Sequence, residues 1–317
     1  MATVYAGVDV SKLKLDVFLD GELREVSNEP KECRKLVKEM AKNKDLVVVV
    51  EATGGYERTL TDAAHAVGLP VCVVQPRRVR SFAVAQGKAA KNDRMDAVLL
   101  ADFGMAMNPR PTPKPEDLRE TLREFVDLRA QLVEDRVRIR NRLESIRDKD
   151  ARKIAEKQFR QTEEAIKKTE AKIEEVRGQD AEIKRTSEVL EAAHGVGKQV
   201  SAILVSHLPE LGKVNRQEVA SLAGLAPFDH ESGQWKGKRT IYGGREVVRR
   251  AVYIAATVAA VQGRDKVLAK AYEDMVVKGK PKKVAIIACA RKLLVHLNGL
   301  VKAALEAAPS PAMAPVN

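Results

Sequence analysis

The chain has 317 residues, enough for two domains or for one domain with a helical extension. Lys and Arg number 56 against 44 Asp and Glu, a net charge of +12 with a pI near 9.5, which favours a polyanionic partner because each neutralised phosphate releases counterions. A membrane surface would also attract this charge, but no apolar run approaches the roughly 18 residues of a spanning helix and no leader pattern opens the chain; a cytoplasmic nucleic-acid protein is expected.

Residues 3–10, 13–19 and 22–26 are predicted as three short strands joined by tight turns. Residues 30–43 form a predicted helix with Cys33, Leu36, Val37 and Met40 on one face. Residues 46–51 make a β-branched run ending in Glu51, as in a strand covered on both faces. A helix over about 56–67, a buried strand over 70–74 and two helical stretches ending near Met107 complete a mixed sheet flanked by helices. The proline-dense residues 108–115 predict a stiff linker. From 116 to about 183 there is no proline and one glycine, Gly178. Leu118, Leu122, Phe125, Leu132, Ile139, Leu143 and Ile146 keep a heptad spacing that Arg129 and Arg136 interrupt. Phe159, Ile166, Ile173, Val176 and Ile183 keep another. Two long helices with a break near residues 147–150 follow, a hairpin or coiled coil expected to pair with a partner chain rather than only with its own. Residues 187 to about 307 read as almost wholly helical around an irregular, glycine-rich basic segment, 224–244. The Pro- and Ala-rich tail reads as disordered. The expected domains are therefore 1–108, 109–186 and 187–308, with a tail at 309–317. The three cysteines, Cys33, Cys72 and Cys289, match no metal-ligand spacing and read as small buried hydrophobes in a reducing compartment.

Asp9 closes the first strand in Gly7-Val-Asp-Val-Ser-Lys12, and Glu51 closes the strand Val47-Val-Val-Val-Glu51. An acid at the end of an apolar strand must be solvated, paired or metal-bound. Asp93 and Asp96, in Lys91-Asn-Asp-Arg-Met-Asp96, share a helix face. Singly, each is as consistent with a turn, a cap or a solvated helix face. Together they make an all-oxygen set suited to Mg²⁺ or Mn²⁺ and to displacement at phosphorus. Their order, a strand-end Asp in a three-strand meander, a strand-end Glu and a helical Asp-x-x-Asp, resembles the RNase H-like fold in its RuvC-type DEDD form. The phosphate loop of actin-like ATPases is the rival, but it needs a second matching repeat that is missing from this sequence.

Downstream, His194-Gly-Val-Gly-Lys198 reads either as a helix–hairpin–helix turn that brings backbone N–H groups to a phosphate or as a plain helix–helix turn. The segment Ala223-Gly-Leu-Ala-Pro227, His230-Glu-Ser-Gly233, Gly237-Lys-Arg-Thr-Ile241, Gly243-Gly-Arg245 carries Ser232 before a glycine, a placement open to a nucleophile or to an ordinary turn. Lys12, Lys91, Lys198, Lys236, Lys238, Arg239 and Arg245 are candidate phosphate contacts. Aromatic residues make up only 4% of the chain, which fits backbone contact better than base stacking.

The four segments Gly7–Lys12, Glu51–Tyr56, Lys91–Asp96 and the loop from Ala223 through Ser232 to Gly244 together resemble the insertion-sequence-110 family of Piv-like transposases, over nearly the whole chain. The resemblance implies an α/β RuvC-like domain, a helical coiled-coil middle and a mainly α C-terminal transposase domain. It implies Asp9, Glu51, Asp93 and Asp96 as ligands for Mg²⁺ or Mn²⁺, and Ser232 as a nucleophile that forms a phosphoserine link to DNA. It also implies a bridge RNA that pairs with target and donor DNA, and a homo-oligomer (dimer or tetramer) joined through the coiled coil. Two other readings stand beside it: a metal-dependent junction-resolving nuclease without a serine nucleophile, and a non-catalytic nucleic-acid-binding protein.

Overall fold

The computed structural model describes residues 3–87, 93–114, 117–228, 231–232, 235–236 and 240–307, with backbone alone at 93–95, 117, 228, 231, 232, 235 and 236. The tail expected to be disordered, and Lys91, His230, Gly233, Gly237, Lys238 and Arg239, lie outside these residues. The chain divides into two compact units, residues 1–114 and 115–317.

The first unit is built on five strands: β1 (Val4–Val10), β2 (Lys14–Leu19), β3 (Glu22–Ser27), β4 (Leu46–Glu51) and β5 (Val71–Val74). They lie in the order β3-β2-β1-β4-β5, antiparallel from β1 to β3 and parallel from β1 to β5. This is the mixed α/β sheet expected. Its period-2 alternation sorts side chains to two faces. Ala6, Val8, Val10, Leu15, Val17, Val48 and Val50 form one core with Cys33, Leu36, Val37 and Met40 of α1 (Pro30–Met40) and Leu60, Ala63 and Ala64 of α2 (Arg58–Ala66). Tyr5, Val49, Cys72 and Val74 form another with Val79 of α3 (Pro76–Ala85) and Leu100 and Phe103 of α4 (Asp93–Met107).

The proline-dense segment does not leave the first unit as a spacer. Thr112 donates its N–H to the Val71 carbonyl at 2.8 Å, its Oγ1 accepts from Val73 N at 2.9 Å, and Cys72 Sγ bonds the Pro109 carbonyl at 3.2 Å. Pro111 and Pro113 have no N–H to give, so Thr112 between them makes the ladder contacts that cover part of the β5 edge.

The second unit is helical: α5 (Asp117–Ser145), α6 (Lys149–Gln179), α7 (Ala181–Glu191), α8 (Lys198–His207), α9 (Arg216–Leu222), α10 (Glu246–Ala256), α11 (Lys266–Val277) and α12 (Lys282–Glu306), with a π-helical turn at Thr257–Val261. The break between the long helices falls where it was expected. Asp148 caps α6 by accepting from Asp150 N and Ala151 N. The second stripe ends sooner than its heptads suggest. Asp180 is extended and caps α7 through Ile183 N, so Ile183 belongs to α7. Arg129, which interrupts the seam, bonds Glu170 of α6 at 2.8 Å. At the hairpin root, Leu122, Val126, Ile173 and Val176 join one core with Leu190, Leu204, Val252, Leu293 and Leu297. That half therefore packs on its own chain, whereas Val137 and Ile154 farther out are 46% and 73% exposed.

Two expectations need correction here. Segment 224–244 is not wholly irregular, because β6 (Pro227–Phe228) pairs with β9 (Thr240–Ile241) and β7 (Glu231–Ser232) pairs with β8 (Trp235–Lys236). Two-residue strands are too short to show an alternation in sequence. Also, α12 has the length and mean hydropathy of a membrane span, contrary to the reading that no run approaches one. Its buried stripe, Ile286, Cys289, Ala290, Leu293, Leu294, Leu297 and Val301, is the centre of the helical core.

Candidate active site

The alternation of β1 and β4 decides where the acids go. Ala6, Val8 and Val10 face α1 and α2, so Tyr5, Gly7 and Asp9 face α4. On β4 the same argument puts Val49 and Glu51 on the α4 side. β1 and β4 are parallel in the register Val8↔Val50, which brings Asp9 level with Glu51 one residue on. Both are half-buried at the end of the sheet.

α4 is drawn onto this face by Gly7. A Cβ at Gly7 would run into the Ala97 carbonyl oxygen and come within 2.6 Å of Ala101 N, so only glycine lets the helix backbone lie directly on β1. At the other end Tyr5 Oη donates to Asn108 Oδ1 at 2.6 Å. The helix thus runs antiparallel to β1. Its N-terminal turns, with Asp96 beside Ala97 and Asp93 one turn earlier, lie towards the Asp9 and Glu51 end of the sheet. Among the described residues no three acid, His or Cys side chains are close enough to hold a metal, and the Asp93 side chain is not among them. The chemistry of the donor set nonetheless fits a hard cation, since Asp9 and Glu51 share one face at the end of the sheet and all four expected ligands are carboxylates.

Sequence reading missed three residues here. Asp16 lies directly across from Asp9 in the antiparallel register, on the same face, and is 7% exposed. Lys14 Nζ bridges it at 3.2 Å and Glu25 at 3.1 Å; the hydrogen bonds that the ammonium donates to these two carboxylates, Glu25 first, hold the lysine pKa above its usual value. Asn28 links the two acid-bearing loops. Its Nδ2 donates to the Ser11 carbonyl after β1 at 2.9 Å and to the Tyr56 carbonyl after β4 at 3.1 Å. Glu57 shapes the loop that leaves Glu51: one carboxylate oxygen accepts from Thr53 N (3.1 Å), Thr53 Oγ1 (2.9 Å) and Gly55 N (2.8 Å). Burial pushes the Glu57 pKa up, but these bonds outweigh it and leave the carboxyl below its ordinary value. The alternation Lys14-Leu-Asp16 was a signal for Asp16. Nothing local in the sequence marks Asn28 or Glu57, whose partners come from other segments or depend on the turn geometry.

In the second unit, Ser232 lies on β7 with its backbone opposite Trp235, and Glu231 opposite Lys236. The loop is anchored at its exit. Arg245 N donates to the Leu222 carbonyl at 2.7 Å, and Arg249 Nη1 donates to the Gly243 carbonyl at 2.6 Å. Arg245, expected as a phosphate contact, has another job. Its guanidinium makes two 2.6 Å bonds to the Glu210 carboxylate, which spend its charge on an internal anchor. Burial raises the Glu210 pKa, but the hydrogen bonds and charge of Arg245 outweigh it and hold the carboxyl below its usual range. Lys198 pairs with Glu174 at 3.3 Å, an exposed contact of little energetic weight that leaves it accessible. Lys12 is exposed after β1, and Lys236 is described only in its backbone. In the α7–α8 turn Gly195 lies against Ala255 and Ala259, so its lack of a side chain serves helix packing. The thiols of Cys33, Cys72 and Cys289 are buried and free, and burial raises each pKa, that of Cys72 to about 11, so they stay protonated.

Two family models match the chain: a DEDD transposase of the insertion-sequence-110 group over residues 6–148, and a transposase of the IS116/IS110/IS902 family over residues 187–273. Pilin gene-inverting proteins from Moraxella bovis and Moraxella lacunata are each 28% identical over 265 residues, 81% of this chain and 80% of theirs. An IS116 insertion-element protein of Streptomyces clavuligerus is 29% identical over 45% of this chain and 38% of its own. Among solved structures, T. thermophilus RuvC in complex with a Holliday junction substrate is 16% identical over 35% of this chain and 99% of its own, with a TM-score of 0.27. The two family models together span well over half of the sequence, and the chain belongs to the insertion-sequence-110 family of DNA transposases, which are site-specific recombinases.

Proposed function

We propose that the protein cuts and rejoins DNA through a phosphoserine intermediate, with Ser232 as nucleophile and Asp9, Glu51, Asp93 and Asp96 as holders of Mg²⁺ or Mn²⁺. The observation that carries the acid half is the shared face: Asp9 and Glu51 are level on adjacent parallel strands, and α4 brings its Asp-bearing end to the same edge. When bound, the cation supplies charge stabilisation at a phosphate. Ser232 Oγ loses its proton, bonds to phosphorus and expels one DNA oxygen, which leaves as a hydroxyl after taking up a proton. A hydroxyl end of the exchanging strand then gives up its proton, attacks the phosphoserine ester and expels Ser232 Oγ, which takes a proton back; one phosphodiester is exchanged for another, so no ATP is needed.

Lys12, Lys91, Lys198, Lys236, Lys238 and Arg239 contact target and donor DNA or a bridge RNA along the backbone. The RNA supplies sequence choice by base pairing. Exposed Val137 and Ile154 on the outer hairpin seat a second protomer. The protein acts in the cytoplasm.

The test is to mix protein, element-derived RNA and DNA ends with Mg²⁺ and look for a denaturant-resistant protein–DNA adduct. Wild type forms it, whereas Ser232→Ala forms none and Asp9→Ala loses on the order of 10²–10³ in rate, the scale on which removing one preorganised electrostatic group acts. Metal-dependent nicking that survives Ser232→Ala, with no adduct in wild type, would mean that a water-activating nuclease is the right reading. Neither adduct nor nicking in wild type, with nucleic-acid binding unchanged in Asp9→Ala, would leave only a binding protein.

A further inference from the structure

The loop that carries Ser232 ends against a cavity of about 370 Å³, lined by Ile241 of β9, Arg249, Arg250, Tyr253 and Ile254 of α10, and Lys283 and Ile287 of α12. Its apolar lining is one tyrosine and three isoleucines. Among the described residues its charged groups are three cations, and no acid lines it. Arg249 ties this lining to the loop exit through the Gly243 carbonyl, while Arg250 and Lys283 are exposed. Ile254 is 59% and Val284 52% exposed, so the apolar surface continues to the rim. The π-helical turn begins directly after this stretch of α10, a feature often found at functional sites.

A flat apolar group bearing negative charge fits such a lining. A nucleobase stacks on tyrosine and fills apolar space, while its phosphate meets the cationic rim. The volume lies at the low end of the roughly 300–1,000 Å³ of ligand pockets, room for one nucleotide and not for a duplex. We propose that this cavity receives one unpaired nucleotide of the DNA strand presented to Ser232, held out of its stack while the neighbouring bond is cut. The assignment to DNA rests on the reading of Ser232 as nucleophile, because β9 belongs to the same loop.

The experiment uses the full chain in EDTA and a fluorescent single-stranded oligodeoxynucleotide with one 5-iododeoxyuridine. Irradiation is expected to cross-link it to the α10 peptide that contains Tyr253. The double variant Arg250→Ala/Lys283→Ala, at exposed positions that leave the core intact, is expected to bind the single strand about tenfold more weakly, and the paired duplex to change less. Ser232→Ala is expected to bind and cross-link as wild type does, so failure of the adduct test alone leaves the pocket standing. Cross-links confined to other segments with unchanged affinity would overturn the proposal. Tighter binding of the same-sequence oligoribonucleotide would assign the pocket to RNA instead. A change in self-association of the double variant by sedimentation, without loss of oligonucleotide binding, would assign it to a second copy.

Discussion

The two regions that carry the proposed chemistry are built in opposite ways. Asp9 and Glu51 sit on strands of seven and six residues, locked by a five-stranded ladder and by a helix laid on β1 through Gly7. Ser232 sits on a strand of two residues, within a segment anchored by Arg245 to Glu210 and by Arg249 to Gly243. The first arrangement fixes a side chain by many cooperative backbone bonds, so its geometry fails only with the unit. Among the described residues, the second rests on two short strand pairings and on contacts at the loop exit, which suits a residue proposed to meet a substrate and then release it.

The largest effect expected is therefore from Gly7→Val. A side chain at Gly7 collides with α4 backbone, which cannot yield as a flexible side chain would, so the first unit loses about 3 kcal/mol or more. Urea unfolding followed by a probe in that unit checks this, and an unchanged midpoint would break the contrast drawn above.

Asn28→Ala comes next. It removes the link between the loops after β1 and β4, at a cost of about 1–2 kcal/mol for the two carbonyls it serves. Cleavage is expected to need more Mg²⁺ and to slow by about 10- to 100-fold, as for partners that orient metal ligands. If the stability falls but the Mg²⁺ dependence does not move, Asn28 serves the fold alone.

The smallest effects are those of pH. Glu57 and Glu210 both have folded pKa values below the ordinary 4.5. A depressed carboxyl contributes stability above its unfolded pKa and loses it as pH falls through the folded value. Both contributions are thus complete at neutral pH and fade below about pH 4.5. Glu210→Gln should flatten that acid limb by no more than about 1 kcal/mol, because the pair is about one-third exposed. An acid limb as steep as wild type would show that Arg245 anchors the loop by packing instead.

Much of the first unit was readable because long elements carry a period. The run Leu46–Glu51 and the face Cys33, Leu36, Val37, Met40 emerged as expected, since one side of each is buried and the alternation or helical spacing records it. The reading failed where a partner is remote or the element short. Segment 108–114 looked like a spacer, yet Thr112 bonds an edge strand some forty residues earlier. Arg245 was read only as a candidate phosphate contact, because Glu210, its partner, lies 35 residues away. The ribbons at 227–241 are too short for any pattern.

The chain by itself determined the carboxylate types and their order, the hairpin break, and the membership of a transposase family, because local spacing and motif order survive without coordinates. Tertiary structure alone decided which face Asp9 and Glu51 share. A strand offers two faces, and only the β1–β4 register and the seat of α4 on Gly7 select the one that brings Asp9, Glu51 and the Asp96 end of α4 to a single edge.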